Sequence, residues 1–307
     1  MSTAFLFPGQ GSQSIGMLNG YTHLPEIQNL FERANNALGY DLLSIIQSGP
    51  AEELNKTEIT QPAILAVSYA FWLLYEEEKG AKPSVLAGHS LGEYSAYVAA
   101  GSIAFEDALK LVARRGALMQ AAVPEGQGAM AAILGMEDDL VASICDEVAA
   151  TAGIVSAVNF NSPGQVVIAG TADAVAKAVE VLKERGAKRA LMLPVSVPSH
   201  CALMKPAAEQ FAKDLETTHI QSPGIPVINN VDVAAVFKPE QIRDSLIRQL
   251  YSPVRWSETV KKIEGMDVLE CIECGPGKVL SGLQKRIVDD LPITHVLEHV
   301  SAADLGK

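Results

Sequence analysis

Short apolar runs alternate with longer amphipathic segments along the first 125 residues of the chain. The runs "TAFLF" and "SVLAG" are followed by glycine-containing turns and have the length of buried strands. The segments "QPAILAVSYAFWLLYEEEKG" and "FEDALKLVARRGALMQ" have the length and apolar spacing of helices, the first with Pro62 in its first turn. Strands that alternate with helices in this way predict an α/β fold with a parallel sheet.

The pattern changes in the middle of the chain. Between residues 126 and 197 it predicts a strand, a helix, two strands joined by a turn at "SPG", a second helix and a last strand. This β-α-β-β-α-β order is typical of a ferredoxin-like unit. We therefore predict a small ferredoxin-like domain over residues 126–197, inserted into a larger domain that comprises residues 1–125 and 198–307.

Composition and charge narrow the class of protein. Of the 307 residues, 48% are hydrophobic, which is enough apolar material for a large core. The formal net charge of −12 disfavours nucleic-acid binding, which requires a basic surface. No run approaches the roughly 18 apolar residues of a membrane helix, and the first residues lack the basic start of a signal peptide. We expect a cytoplasmic protein with no membrane or nucleic-acid partner.

The four cysteines are too few for a disulfide framework in a chain of this length. Cys271 and Cys274 form a C-x-x-C pair, but no second pair of ligands with comparable spacing accompanies it. We expect these two thiols to be buried on or near a strand, and we expect no metal.

The segment "VLAGHSLGEYSA" places Ser90 between a predicted strand and a predicted helix, within a G-x-S-x-G sequence. This pentapeptide alone is a weak signal, but a strand, a glycine-flanked turn and a helix in this order are what a nucleophile elbow requires. The N-terminus of the following helix would face the negative charge that develops during acyl transfer. Ser90 is therefore a candidate nucleophile, and the alternative is a small residue at a strand end.

A serine nucleophile requires a base, and His200 is the best placed of the six histidines. It lies in "LPVSVPSHCALM", where a predicted strand ends and a helix begins, and parallel α/β sheets place their sites at such ends. His89 is adjacent to Ser90 and should point elsewhere on the turn. The remaining histidines lie in polar surroundings typical of a surface: His23, His219, His295 and His299. The alternative for His200 is a histidine at a helix start with no catalytic role.

A second glycine-rich turn, "FPGQGSQ" at residues 7–13, could supply N–H donors to an oxyanion. The N–H of Leu91, directly after the candidate nucleophile, is the usual first donor, and the N–H of Gln10 is the candidate second donor. The G-x-G of this turn is also found in dinucleotide-binding sites, which gives a second hypothesis for this segment. That alternative fails because Ser14 stands at the third glycine position and no strand ending in an acidic residue follows at the required distance.

Arg115 interrupts the apolar face of a predicted helix. At 100° per residue, the apolar residues of "FEDALKLVARRGALMQ" fall on one face and Arg115 lies in the middle of it, whereas Arg114 falls on the polar face. A buried guanidinium without a partner is costly, so we expect Arg115 to meet a carboxylate. That carboxylate could belong to the protein, as a structural ion pair, or to a substrate.

Six motifs in this order resemble the malonyl-CoA:acyl carrier protein transacylases: "FPGQGSQ", "GHSLGEYSA", "VNFNSPGQVVIAG", "VPSH", "RQLYSPVRW" and "GPGKVL". The resemblance extends from about residue 3 to residue 290 and implies an α/β-hydrolase-like large domain with a ferredoxin-like insertion. It implies that Ser90 is the malonylated nucleophile, that His200 is its base and that Arg115 binds the malonyl carboxylate. It also implies further site residues: oxyanion donors at Gln10 and Leu91, a main-chain carbonyl at Gln249 that orients the base, and substrate contacts at Gln10, Gln61, Met119, Asn161 and Ser199.

Two details of the resemblance concern the acyl group. Leu91 after the nucleophile is similar to the malonyl-selective pattern. Ser199 stands before the base where many relatives have an aromatic residue, which leaves room beside the acyl group.

The activity that the resemblance implies is a ping-pong transfer of malonyl from malonyl-CoA to the phosphopantetheine thiol of acyl carrier protein, for fatty acid biosynthesis. It implies no metal and no bound cofactor, and we expect a monomer. Two other hypotheses stay open at this point. A hydrolase would use water as the acceptor, although few esterase substrates offer a carboxylate to Arg115. A non-catalytic binding module would use the same fold as a scaffold.

Overall fold

The computed structural model describes residues 2–79, 82–195 and 197–300. The C-terminal end of the predicted large domain, residues 301–307, lies outside the described residues. The strands are β1 (Thr3–Phe7), β2 (Val85–Gly88), β3 (Gly128–Leu134), β4 (Val155–Ser162), β5 (Gln165–Thr171), β6 (Arg189–Met192), β7 (Val227–Ile228), β8 (Glu270–Glu273) and β9 (Ile293–His295). Within the described ranges, no helix combines the length and the apolarity needed to cross a bilayer.

Helices precede, connect and follow these strands. They are α1 (Pro25–Leu38), α2 (Leu42–Ser48), α3 (Ala51–Leu54), α4 (Thr57–Lys79), α5 (Gly92–Ala99), α6 (Phe105–Ala122), α7 (Asp138–Ala152), α8 (Ala172–Glu184), α9 (Lys205–Thr217), α10 (Pro239–Gln249), α11 (Trp256–Glu264) and α12 (Val279–Ile287). Short 3₁₀ turns occupy Ala202–Met204 and Val296–Glu298.

The larger sheet has the strand order β7-β2-β1-β8-β9, and its paired strands all run parallel. Strand β1 is buried on both faces: Phe5 and Phe7 belong to one apolar core, and Ala4 and Leu6 belong to another. Burial on both faces explains why this strand is a continuous apolar run and not an alternating pattern. The α/β fold with a parallel sheet, predicted from the sequence, is confirmed.

The smaller sheet is antiparallel and has the strand order β4-β5-β3-β6. Helices α7 and α8 cover one face, where Val141 and Val175 belong to the same core as Ile133 and Val166. The opposite face contributes Met130, Val158 and Val167 to a small cluster with Cys201, which follows the candidate base. The elements follow one another here in the β-α-β-β-α-β order that the sequence pattern predicts.

Helix α4 differs from the prediction at its N-terminus. It begins at Thr57, so Pro62 lies inside the helix and not in its first turn. A Cβ on Gly116 of α6 would lie 2.7 Å from both the carbonyl oxygen of Thr57 and the Cα of Glu58, so the two helix backbones are in contact there. This packing favours the early start, and the proline costs the helix one hydrogen bond.

The predictions for two cysteines and one histidine on or near strands β8 and β9 have different outcomes. Cys271 and Cys274 are buried free thiols, as predicted, and they belong to different apolar cores. The prediction of a surface position for His295 is wrong, because its side chain is buried and its Nε2 lies 2.8 Å from the Gly275 carbonyl oxygen. A polar sequence neighbourhood does not reveal this contact with a main-chain acceptor 20 residues away in the chain.

Glycines bring the ends of β1 and β2 into direct contact. A Cβ on Gly92 would lie 2.0 Å from the carbonyl oxygen of Phe7, and a Cβ on Gly9 would lie 2.4 Å from that of His89. The two glycine-rich turns singled out in the sequence therefore pack against each other at the carboxyl edge of the parallel sheet, where α/β proteins place their sites.

We predict that Gly92→Ala destabilises the protein by about 1–3 kcal/mol or more, because the methyl group overlaps the Phe7 carbonyl. Chemical unfolding measures the difference. Gly282→Ala is the matched control, since a Cβ at this helical position of α12 meets no atom within 4 Å. It should stabilise the protein by about 0.5–1 kcal/mol through higher helix propensity. Equal stabilities of the two variants would contradict a packing role for Gly92.

Candidate active site

Ser90 occupies a tight turn between β2 and α5. Its φ of 51° is in the left-handed region, which non-glycine residues seldom adopt. The turn closes so sharply that a Cβ on Gly88 would lie 1.9 Å from the carbonyl carbon of Gly92. Asn230, just after β7, holds the turn by accepting a hydrogen bond from the Ser90 N–H (2.7 Å) and donating one to the Gly88 carbonyl (2.7 Å). This is the strand–turn–helix geometry of a nucleophile elbow.

His200 lies in hydrogen-bond contact with the serine. Its Nε2 is 2.7 Å from Ser90 Oγ, and its Nδ1 is 2.7 Å from the main-chain carbonyl oxygen of Gln249. A carbonyl can only accept a hydrogen bond, so Nδ1 carries the proton in a neutral ring and Nε2 is free to accept one. His200 itself has a φ of 64°, and its N–H donates to the Leu250 carbonyl (3.0 Å).

The surroundings of His200 keep its ring neutral. Burial, and after it the nearby positive charge of Arg115, lowers the pKa of His200 to about 3. Both effects act in the same direction, because each penalises the imidazolium form. A neutral imidazole with an unprotonated Nε2 beside a hydroxyl is the state that a general base requires.

Arg115 is buried, and only 1% of it is exposed. Its Nη1 donates to Gln61 Oε1 (2.9 Å), and its Nη2 donates to Gln249 Oε1 (3.0 Å) and lies 3.4 Å from Ser90 Oγ. The guanidinium also lies over the Tyr94 ring, 5.3 Å from its centroid. The ion pairs found among the described residues do not include Arg115. The structural ion pair raised from the sequence is therefore not formed in that part of the chain.

The two expected oxyanion donors lie on the two packed turns. Leu91 is directly before the first residue of α5, and Gln10 follows Gly9, which packs on His89. The first N–H groups of a helix have no partner within it, so the Leu91 position suits an anion. The Gln10 side chain donates from Nε2 to Thr57 Oγ1 (3.3 Å), and its main-chain N–H remains the candidate oxyanion donor.

The other predicted substrate contacts divide into two groups. Gln61 binds Arg115, and its Nε2 lies 3.7 Å from the sulfur of Met119, so both belong to the arginine environment. Asn161 bonds instead to His89, with 2.8 Å between Oδ1 and Nε2. Ser199 Oγ donates to the Val197 carbonyl at 3.5 Å, and Ser199 directly precedes His200 in the chain.

Sequence reasoning missed two residues that hold the site together. The position of Asn230 near the site could have been predicted from the sequence, because Asn230 follows a strand that pairs with β2 and so ends at the same edge of the sheet. Glu93 is buried in the otherwise apolar and small-residue helix α5, three residues after Ser90. An acid in such a segment is a signal of a buried polar network. The side chain of Gln249, as distinct from its carbonyl, was also not assigned.

A serine hydroxyl, a neutral histidine oriented through its Nδ1 and a buried cation are the parts of a site for nucleophilic acyl transfer. The chain matches the model of the acyl transferase domain over residues 4–290. It is 59% identical over 290 residues to the malonyl CoA-acyl carrier protein transacylase of Haemophilus influenzae, a match that covers 94% of this chain and 93% of that protein. The chain belongs to the malonyl CoA-acyl carrier protein transacylase family of acyltransferases.

Solved structures agree. An acyl carrier protein S-malonyltransferase from Vibrio cholerae is 56% identical, with a TM-score of 0.94 and coverage of 96% of each chain. A malonyl-transacylase in complex with its type II PKS acyl-carrier protein is 52% identical, with a TM-score of 0.95 and coverage of 98% of this chain and 99% of that one.

We predict that the His200 ring stays neutral down to about pH 4, because its pKa is lowered to about 3. NMR of protein labelled with ¹⁵N-histidine follows the ring signals as the pH falls, and the spectrum of the His200→Gln variant assigns them. A His200 signal that titrates near pH 6.5, the ordinary value for histidine, would contradict this environment.

Proposed function

We propose that the protein transfers a malonyl group from malonyl-CoA to the phosphopantetheine thiol of acyl carrier protein, and that the group is carried on Ser90 between the two steps. The observation that carries the proposal is the buried Arg115 guanidinium, which lies 3.4 Å from Ser90 Oγ and whose hydrogen-bond acceptors among the described residues are all neutral. A substrate that brings a carboxylate to this depth completes an arginine–carboxylate pair. Malonyl has such a carboxylate and acetyl does not.

In the first half-reaction, Ser90 Oγ attacks the thioester carbon of malonyl-CoA while its proton passes to Nε2 of His200. The carbon–sulfur bond then breaks, and coenzyme A leaves as a thiol with that proton. The product is a malonyl ester of Ser90. The Gln249 carbonyl stabilises the imidazolium that forms, because it accepts from Nδ1 at 2.7 Å.

The second half-reaction reverses the roles. The carrier's phosphopantetheine thiol gives its proton to Nε2 of His200 and attacks the ester carbon. The bond to Ser90 Oγ breaks and the hydroxyl regains the proton. In both half-reactions the main-chain N–H groups of Gln10 and Leu91 donate to the oxyanion. Each bond and proton change is accounted for by Ser90, His200 and the substrates, so the reaction requires no metal or bound cofactor.

The names of the relatives support the choice of donor and acceptor. The Haemophilus influenzae relative is named for malonyl CoA and acyl carrier protein, and one similar structure is of a malonyl-transacylase in complex with an acyl-carrier protein. The hydrolase hypothesis gains nothing from the site, because it leaves the buried Arg115 unexplained. The same names support a place in fatty acid synthesis, which requires malonyl on its carrier.

We also propose that residues 126–197 form a ferredoxin-like domain inserted into an α/β-hydrolase-like domain. The strand order β4-β5-β3-β6 with two helices on one face supports this assignment. The domain boundaries, a monomeric state, the cytoplasmic location and the absence of membrane or nucleic-acid partners stay predictions.

We predict that the wild-type protein gains one malonyl group when it is mixed with malonyl-CoA and that Ser90→Ala gains none, since the variant lacks the attacking oxygen. Mass spectrometry of the intact protein measures the adduct, and addition of the carrier should discharge it from the wild type. Steady release of coenzyme A without a carrier would indicate a hydrolase. An adduct on the variant would exclude Ser90 as the nucleophile.

We predict that Arg115→Ala lowers the preference for malonyl-CoA over acetyl-CoA, measured as the ratio of their kcat/KM values. In the wild type, acetyl leaves the buried guanidinium unpaired, which should disfavour it by about 10²–10³-fold. The variant should lose malonyl transfer steeply and retain or improve acetyl transfer. The neighbouring Arg114→Ala is the matched control, because Arg114 is exposed and pairs with Asp214. An unchanged ratio in Arg115→Ala would show that another cation binds the carboxylate.

A further inference from the structure

Glu93 is a buried acid that the proposed chemistry does not use. It is 0% exposed in the first turn of α5 and makes no ion pair among the described residues. It does not cap its own helix, because its carboxyl group accepts from Asn230 and Gln249, which belong to other segments of the chain. An apolar side chain of the same volume would avoid the cost of burying a carboxyl group. The acid therefore needs another explanation.

One oxygen of Glu93 joins the two residues that hold the site. Its Oε2 accepts from the main-chain N–H of Asn230 (2.9 Å) and from Nε2 of Gln249 (2.9 Å). Asn230 in turn clamps the turn around Ser90 through its side chain. Helix α5, which follows the turn, therefore fixes the position of Asn230 through Glu93.

Gln249 extends the same network to the base and the cation. Its Nε2 donates also to the Ser90 carbonyl (3.0 Å), its Oε1 accepts from Arg115 (3.0 Å), and its main-chain oxygen accepts from His200 (2.7 Å). At most two hydrogen bonds therefore separate Gln249 and Glu93 from the serine turn, from the histidine and from the arginine. Such networks hold reacting groups within the narrow tolerance that acyl transfer requires.

We propose that Glu93 is a positioning residue: by accepting from Asn230 and Gln249 together, its carboxyl group holds Ser90, His200 and Arg115 in the arrangement that forms the malonyl-enzyme. The inference rests on the proposed function. It depends on the hydrogen-bond acceptor and not on the charge. Burial raises the pKa of Glu93 to about 7, and the carboxyl oxygen can accept in either protonation state.

Two substitutions separate the acceptor from the rest of the side chain. Glu93→Met fills similar volume and removes the acceptor without leaving a buried charge, so the fold should persist. Glu93→Gln keeps an oxygen for both donors, and its NH₂ takes the place of Oε1, which has no hydrogen-bond partner among the described residues. Ser95→Ala is the matched control in the same helix, since Ser95 is buried and its hydroxyl also lacks a partner there.

The experiment measures the single-turnover rate of acyl-enzyme formation from malonyl-CoA and from acetyl-CoA, with melting temperature as the check on folding. We expect Glu93→Met to form the malonyl-enzyme about 10²-fold more slowly than wild type, the loss typical of a misplaced reacting group. Its malonyl-to-acetyl ratio should also fall, because Gln249, which accepts from Arg115, is no longer held by Glu93. Glu93→Gln should restore most of the rate and the ratio, and Ser95→Ala should match the wild type.

Two results would overturn the proposal. One is a folded Glu93→Met variant that forms the malonyl-enzyme at the wild-type rate, which would make Glu93 dispensable for positioning. The other is a Glu93→Gln variant as slow as Glu93→Met, which would make the charge and not the acceptor the essential property. In both cases the wild type still forms the malonyl-enzyme. A wild type that forms none would instead overturn the proposed function, and the inference with it.

Discussion

A positive charge buried beside an uncharged serine and histidine constrains every group around it. The Arg115 guanidinium is surrounded by amide oxygens, a hydroxyl and an aromatic ring, and no described carboxylate is in contact with it. Neutral acceptors bind its two Nη groups, its Nε has no hydrogen-bond partner among the described residues, and its charge stays unbalanced. The same charge lowers the pKa of His200, after burial, and so helps to keep the ring neutral. Arg115 therefore lowers the pKa of the base and also favours substrates that carry a negative charge.

The geometry of the site depends on backbone conformations that residues other than glycine seldom adopt. Ser90 and His200 both have positive φ values without being glycines, and both lie in the proposed reaction centre. Such conformations cost about 1–3 kcal/mol each and persist only where the surroundings hold them. The glycine contacts between the two turns, the Asn230 clamp and the hydrogen bond from the His200 N–H to the Leu250 carbonyl supply that support.

Much of this arrangement could be predicted from the sequence, because its signals are local. Strand lengths, helix periodicity and the G-x-S-x-G turn are each encoded within a short segment, and the parallel sheet brings strand ends to a common edge. The close pairing of Ser90 with His200 does not follow from that rule, because the strand before His200 is β6, which belongs to the antiparallel sheet and ends at Met192. The roles of Asn230, Glu93 and the Gln249 side chain could not be predicted in this way. They arise from contacts more than 130 residues apart in the chain, such as Ser90 with Asn230 and Glu93 with Gln249. The start of α4 and the burial of His295 were missed for the same physical reason, since tertiary contacts outweigh local preference.

The histidine is oriented by a carbonyl and not by a carboxylate, and the position of Arg115 gives a physical reason. The residue that supplies the carbonyl, Gln249, also binds Arg115 through its side chain, so a group behind His200 is close to the guanidinium. An ionised carboxylate at that position would raise the pKa of the histidine and compete with a substrate carboxylate for the cation. A neutral carbonyl fixes the tautomer without adding charge. The site can thus combine a serine–histidine pair with recognition of an anionic acyl group, because Arg115 is the one charged side chain in the described part of the chain that contacts Ser90 Oγ, and it is the group proposed to bind the substrate carboxylate.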